Sequence, residues 1–219
     1  MSRHLQKEIE QLKKKLLQLG GRVEGAVRDS ILSLEEKDNS MAEQVKDSDL
    51  EVDQMEVEIE EDCLKILALH QPVAIDLRFI VAVLKINNDL ERIGDLAVNI
   101  AGRSVDLARR PEIKIDFDFI LMSNRVQQML KESLDSLVNM DPKLAQKVRE
   151  SDDRVDAMNA DAFEIVQRAI ETRPDQMENL IHFLSISRHL ERIADHATNI
   201  AEDVIYMIEG EIVRHRPGT

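Results

Sequence analysis

Apolar residues recur three and four positions apart along almost the whole chain. The first run is Leu5, Ile9, Leu12, Leu16, Leu19, Val23, Val27 and Leu34. This spacing puts them on one stripe of an α-helix. Gly20, Gly21 and Gly25 weaken the run and predict close approach of a neighbouring helix. Asp38 and Asn39 end it. Ser40 then precedes Glu43 by three, a capping box that predicts the start of a second helix, running to about Leu69. Pro72 falls in the turn before a third helix, 74–109, and Pro111 marks the next break.

The second half repeats the plan. A fourth helix carries Phe119, Met122, Val126, Leu130 and Leu137. Asp141-Pro142 reads as an N-cap followed by proline at the first helical position. The fifth helix then runs to about Glu171, and a sixth runs from near Pro174 to about Gly210, ahead of a frayed basic tail, Arg214 to Thr219. Residues 88–101 read NDLERIGDLAVNIA and residues 188–201 read RHLERIADHATNIA, with nine of fourteen positions identical. DSDLEVDQM from Asp47 aligns with ESDDRVDAM from Glu150 at an offset of 103. The chain is therefore expected to be all-α, two tandem pseudo-symmetric three-helix bundles, 1–110 and 111–219. Short connections make successive helices antiparallel neighbours.

Composition agrees. Among the 219 residues are 7 Gly, 5 Pro, 5 Phe, 1 Tyr and no Trp, too few turn formers and aromatics for a sheet protein. The 43 acidic residues outnumber 29 basic ones, for a net charge of -14. Such a chain repels phosphate backbones and anionic bilayers, so no nucleic-acid partner and no direct membrane insertion are expected. No run approaches 18 apolar residues, and the first 20 contain no apolar signal region. The single cysteine, Cys63, fits a reducing compartment and reads as a small core residue. A cytoplasmic protein is expected.

The acidity is patterned. Each repeat carries two acidic pairs four residues apart: Asp49 with Asp53 and Glu91 with Asp95, then Asp152 with Asp156 and Glu191 with Asp195. Residues i and i+4 share a helix face, where like charges repel by a few tenths of a kcal/mol. The second helix has the seam Val45, Asp49, Val52, Glu56, Ile59, Cys63, Ile66; the fifth has Val148, Asp152, Val155, Asn159, Ala162, Val166, Ala169. Asp49 and Asp152 thus face the core, where an uncompensated carboxylate costs several kcal/mol. Asn88, Glu91, Asp95 and Asn99 make a polar strip on the third helix; Arg188, Glu191, Asp195 and Asn199 make one on the sixth, with Glu202 a turn on. If the strips face the seams, four carboxylates and an amide oxygen converge. Oxygen ligands suit hard cations, and four carboxylates suit more than one ion. The plain alternative is surface acid pairs laced with Arg78, Arg92, Arg188 and Arg192.

The motifs QPVAIDLR at 71–78, LERIGD at 90–95 and LERIAD at 190–195 resemble those of the PhoU family of phosphate-signalling proteins, over nearly the whole chain. The resemblance implies two pseudo-symmetric three-helix bundles with metal clusters at Asp49, Asp53, Glu91, Asp95, Asp152, Asp156, Glu191 and Asp195. Asn99 and Asn199 match an extension of the motif as further ligands. Divalent or trivalent ions are expected, with iron, manganese, magnesium or zinc as candidates. It also implies a regulatory role rather than an enzyme's. When phosphate is plentiful, such a protein represses starvation signalling and high-affinity uptake. The implied partners are a membrane sensor histidine kinase and the phosphate ABC transporter ATPase, reached at the inner membrane through protein contacts. A homodimer is expected.

The two repeats differ at Gly102 against Glu202 and at Asn88 against Arg188, which predicts unequal metal occupancy. The alternative function is a carboxylate-bridged di-metal enzyme or metal-storage bundle. It lacks support from Glu-x-x-His, because Gly94 and Ala194 stand where the histidines belong. His196 adjoins Asp195 but lies about 100° round the helix. A plain helical scaffold without ions is the third reading.

Overall fold

The computed structural model describes residues 3–210. The expected basic tail, Arg214 to Thr219, lies outside them. The helices are α1 (Arg3–Glu36), α2 (Asn39–His70), α3 (Ala74–Ala108), α4 (Phe119–Asn139), α5 (Pro142–Thr172) and α6 (Met177–Glu209), with a 3-10 turn at Pro174–Gln176 before α6. No strand occurs among the described residues. Helices α1, α2 and α3 pack on one another, as do α4, α5 and α6.

The repeat extends to the helix ends. Asp38 Oδ1 accepts from the Ser40 and Met41 amides at 2.8 and 3.1 Å. Asp141 Oδ1 accepts from Lys143 and Leu144 at 2.9 and 3.1 Å. Asp38, not the expected Ser40, therefore caps α2. Its carboxylate reaches two orphan amides of the first turn, which leaves Ser40 inside the helix. Lys37 and Met140, one residue before each cap, both adopt left-handed backbone, φ 53° and 52°. The α1–α2 and α4–α5 turns are thus the same turn twice.

The bundles do not have separate cores. One continuous apolar core runs from Leu5 to Met207, and the α3–α6 contact is the most extensive between any two helices. The sequence explains this. Helix α2 buries only its seam and Ala42, whereas α3 buries Ile80, Val83, Ile86, Leu90, Ile93 and Ile100 together with Ala82, Ala97 and Ala101. A helix apolar on two sides must pack on two partners, and small residues let α6 approach closely. Polar ties cross this contact: Lys85 Nζ to Asp203 Oδ1 at 3.0 Å, and His196 Nδ1 to Asp89 Oδ1 at 2.8 Å. The His196 ring therefore bonds across the bundles to Asp89, while its charge eases the neighbouring Asp195.

Of the three glycines in α1, only Gly20 marks a close approach. A Cβ there would lie 2.7 Å from Leu134 Cδ1, while Gly21 faces open space. A concavity of about 790 Å³ lies where the 109–118 segment crosses the ends of α1, α3 and α4; none of the paired carboxylates lines it. No described helix is long and apolar enough to cross a membrane.

Candidate metal centre

Helices α2 and α3 are antiparallel neighbours, as are α5 and α6, so each seam faces the acidic strip of the following helix. Asp49 and Asp152 sit on the seams and are half-buried; Asp53 and Asp156, one turn on, are exposed. Opposite them, Glu91, Asp95 and Glu191 are half-buried and Asp195 is exposed. Asn199 is half-buried, and Asn99 is exposed.

The electrostatics show that the charges meet across the helix pairs. Burial pushes the Asp49 carboxyl up, and the charges of Asp53 and of Asp95 on the facing helix add to it. Glu91 is raised by burial, then by Asp95, Asp53 and Glu56, against some relief from Arg92. In the second repeat Asp152 is pushed up to about 6, by burial first and then by Asp156 and Asp195. Glu191 is raised by burial and then by Asp195 and Asp156, and Asp195 by burial and then by Asp156. Carboxyls raised together in this way lack the positive charge that would let them ionise at their ordinary values.

Geometry separates the two repeats. Asp156, Glu191 and Asp195 each offer an oxygen, all within 4.8 Å of one another. Oxygens so spaced can share an ion at ordinary metal–oxygen distances. No corresponding trio gathers in the first repeat among the described residues. There Arg92 reaches Glu91 at 3.4 Å and Asp95 at 3.2 Å and draws both carboxylates to itself. The equivalent Arg192 is exposed and makes no such pair among the described residues. The arginine lacing of the plain alternative is therefore present at Arg92; Arg78 instead donates to the Met207 carbonyl at 3.2 Å.

Two further observations test whether a cation fits. Asp152 Oδ1 is buried and accepts no hydrogen bond; Glu91 Oε2 is also buried without one, but Arg92 Nε stands 3.4 Å from it. A buried carboxylate oxygen without a donor is the atom a metal ion would satisfy. Helix α3 also comes against α2 at Gly94, where a Cβ would stand 3.2 Å from Val52 Cγ1 and 3.8 Å from Asp49 Oδ1. The missing side chain brings the α3 acids close to Asp49. Oxygen-only donors fit hard cations; no described cysteine or histidine joins the trio. Cys63 is buried and its thiol is pushed up to about 12, as expected of a core residue.

One polar residue beside the first cluster escaped the sequence reading. The strip on α3 begins at Asn87, not Asn88: Asn87 is buried, with 1% of its surface exposed, and Asn88 is exposed. Its Nδ2 donates to the Glu56 carbonyl at 2.9 Å and to Glu56 Oε1 at 3.3 Å. Glu56 is raised by burial and by Glu60 and Asp53. The equivalent place in the second repeat holds Ser187, also buried, whose hydroxyl donates to Asn159 Oδ1 at 2.7 Å. The signal was present in the sequence, because 87, 91 and 95 follow the i, i+4, i+8 spacing of one face.

Known proteins resemble the chain in sequence and fold. The PhoU domain matches residues 16–104 and again 119–204. A phosphate-specific transport system accessory protein PhoU homolog of Pseudomonas aeruginosa is 37% identical over 216 residues, 98% of this chain and 89% of the relative. The homolog of Aquifex aeolicus is 39% identical over 210 residues, 96% and 95% of the two chains. The crystal structure of PhoU from Pseudomonas aeruginosa superposes with a TM-score of 0.90 at 36% identity, covering 94% of this chain and 99% of that one. That of the phosphate transport system regulatory protein PhoU from Streptococcus pneumoniae gives 0.85 at 29% identity, covering 95% and 99%. Two matched domains, full-length relatives and a shared six-helix architecture place this chain in the PhoU family.

Proposed function

We propose that this protein is a metal-binding regulatory adaptor of the phosphate transport system that restrains phosphate-starvation signalling and high-affinity uptake when phosphate is plentiful. The observation that carries the metal reading is the acid pairing on facing helices, tightest at Asp156, Glu191 and Asp195. Asp152 and Asn199 complete that site; Asp49, Asp53, Glu91, Asp95 and Asn99 form its counterpart. A bound hard cation would neutralise the crowded carboxylates and tie α5 to α6 and α2 to α3. The relatives' names, accessory and regulatory proteins of phosphate transport, support the regulatory part.

On this reading the partners are a membrane sensor histidine kinase and the transporter's ATPase. The protein works in the cytoplasm as a homodimer and reaches the inner membrane through those proteins, since a net charge of -14 disfavours direct attachment to anionic lipid. The test is complementation in a bacterium lacking its own PhoU, with a phosphate-starvation reporter. The wild-type chain should silence the reporter in rich phosphate, and the folded triple variant Asp156→Asn, Glu191→Gln, Asp195→Asn should not. A folded triple variant that silences fully would refute the dependence on metal.

A further inference from the structure

We propose that the segment joining the two repeats, 111–118, is a docking strand: it pairs with an extended basic peptide of a partner protein, whose apolar side chains enter the phenylalanine-lined concavity beside it. The inference is independent of the metal reading above.

The sequence of the segment sets this up. Ile113, Ile115, Phe117 and Phe119 alternate with Glu112, Lys114, Asp116 and Asp118. In the fold the first set is buried or half-buried and the second exposed, position by position. A period of two is the signature of extended chain laid on a core, here bent once at Asp116. Two polar ties hold it to the end of the second bundle: Asn179 Nδ2 donates to the Pro111 carbonyl at 3.0 Å, and Arg173 donates to the Lys114 carbonyl at 3.1 Å. None of the amides from Glu112 to Asp118 donates a hydrogen bond within the described residues. An extended segment whose amides lack protein acceptors is a template for a second strand, whose carbonyls supply them.

The concavity indicates what that strand carries. Phe117, Phe119 and Phe183, three of the chain's five phenylalanines, line it. The Phe119 ring centroid lies 4.7 Å from that of Phe117 and 5.3 Å from that of Phe183. The volume of about 790 Å³ suits the side chains of a short peptide. Four exposed acids, Glu35, Glu112, Asp116 and Asp118, line it against one base, Lys37, which already pairs with Glu112 at 3.0 Å. Apolar walls rimmed by acid are complementary to alternating apolar and basic side chains. The same rim disfavours an anionic lipid surface. A second copy of the chain would set Glu112, Asp116 and Asp118 against the same three acids, which repel across a strand pair.

Fluorescence anisotropy on the full chain tests the proposal with labelled ten-residue peptides. The probe alternates lysine with valine and phenylalanine. One control is an isomer of the same composition with its lysines grouped; the other keeps the alternation with glutamate for lysine. The probe should bind at least tenfold more tightly than either. Lys114→Pro removes an amide that the fold leaves unbonded, together with a positive charge that opposes the probe. It should nonetheless weaken binding at least fivefold, with circular dichroism unchanged. A fully N-methylated probe tests the same bonds from the partner's side and should bind no better than the grouped isomer. Asp116→Lys should also lose at least fivefold, and the loss should shrink as salt is raised. Grouped or N-methylated peptide binding as well as the probe, or a folded Lys114→Pro binding like wild type, would show charge attraction without strand pairing and overturn the proposal. So would a probe that shows no saturable binding. Self-association of the wild type that Lys114→Pro abolishes would overturn it too, because a second copy is then the occupant.

Discussion

Replacing Asp152 by asparagine should make the metal-free protein more stable at neutral pH. The Asp152 carboxyl is pushed from 3.8 up to about 6, by burial and then by the charges of Asp156 and Asp195. Between those values the folded protein holds the proton more tightly than the unfolded chain does. Its favourable contribution is complete below about pH 4 and is lost as pH rises through about 6. At pH 7.5 the ionised carboxylate therefore opposes folding. The shift corresponds to about 3 kcal/mol at 1.36 kcal/mol per tenfold change in acidity. Half-burial leaves the group partly screened, which lowers the figure to about 1–2 kcal/mol. For a chain of this size that is roughly 3–6 °C in Tm. Asparagine keeps the shape and removes the charge. The assay is thermal unfolding of wild type and Asp152→Asn in excess chelator at pH 7.5 and pH 4, repeated with Mn2+ at pH 7.5. The variant should unfold later at pH 7.5, the gain should vanish at pH 4, and Mn2+ should stabilise the wild type more than the variant. A variant less stable at pH 7.5 without metal, or a gain that persists at pH 4, would refute the reasoning.

Other outcomes follow from particular residues. Met140→Gly relieves a left-handed residue at the end of α4 (φ 52°) whose side chain is 40% exposed, so urea unfolding should show a gain of about 0.5–1 kcal/mol. Gly20→Leu drives a side chain into Leu134 and should cost about 1–3 kcal/mol, whereas Gly21→Ala, facing open space in the same helix, should gain about 0.5–1 kcal/mol in the same assay. The Cys63 thiol, buried and pushed up to about 12, should resist iodoacetamide in native protein at pH 8 and react once the chain is unfolded; Cys63→Ala should cost about 1 kcal/mol.

The fold was legible because the sequence states it twice. Seams at three-four spacing and two matched copies of LER-I-x-D place the helices and pair them. What local pattern does not carry is which of two adjacent candidates a tertiary contact selects. Ser40 reads as the cap of the second helix and Asp38 only as the end of the first, and the left-handed turn at Lys37 puts Asp38 over the free amides. Asn87 and Asn88 both sit near the acidic strip, and only packing against Glu56 chooses Asn87. The core shared by the two bundles follows from α3 and α6 being apolar on two sides, a feature visible in their alanines but undervalued when each repeat is read alone. The acid pairs were fully visible as i, i+4 spacings. Unequal sites were expected from Gly102 against Glu202 and Asn88 against Arg188, but the part played by arginine was not legible, because Arg92 and Arg192 stand in the same LERI run and differ in whether the guanidinium reaches the carboxylates.

The central claim is that the paired carboxylates hold metal, and the most direct measurement is elemental analysis of the full chain purified without added chelator. The account predicts bound iron, manganese or another hard cation in stoichiometric amounts. It further predicts partial loss on Asp156→Asn with Glu191→Gln, and near-complete loss when Asp53→Asn and Glu91→Gln are added. Folded wild-type protein that carries no metal, and takes up none from manganese or iron in solution, would contradict it.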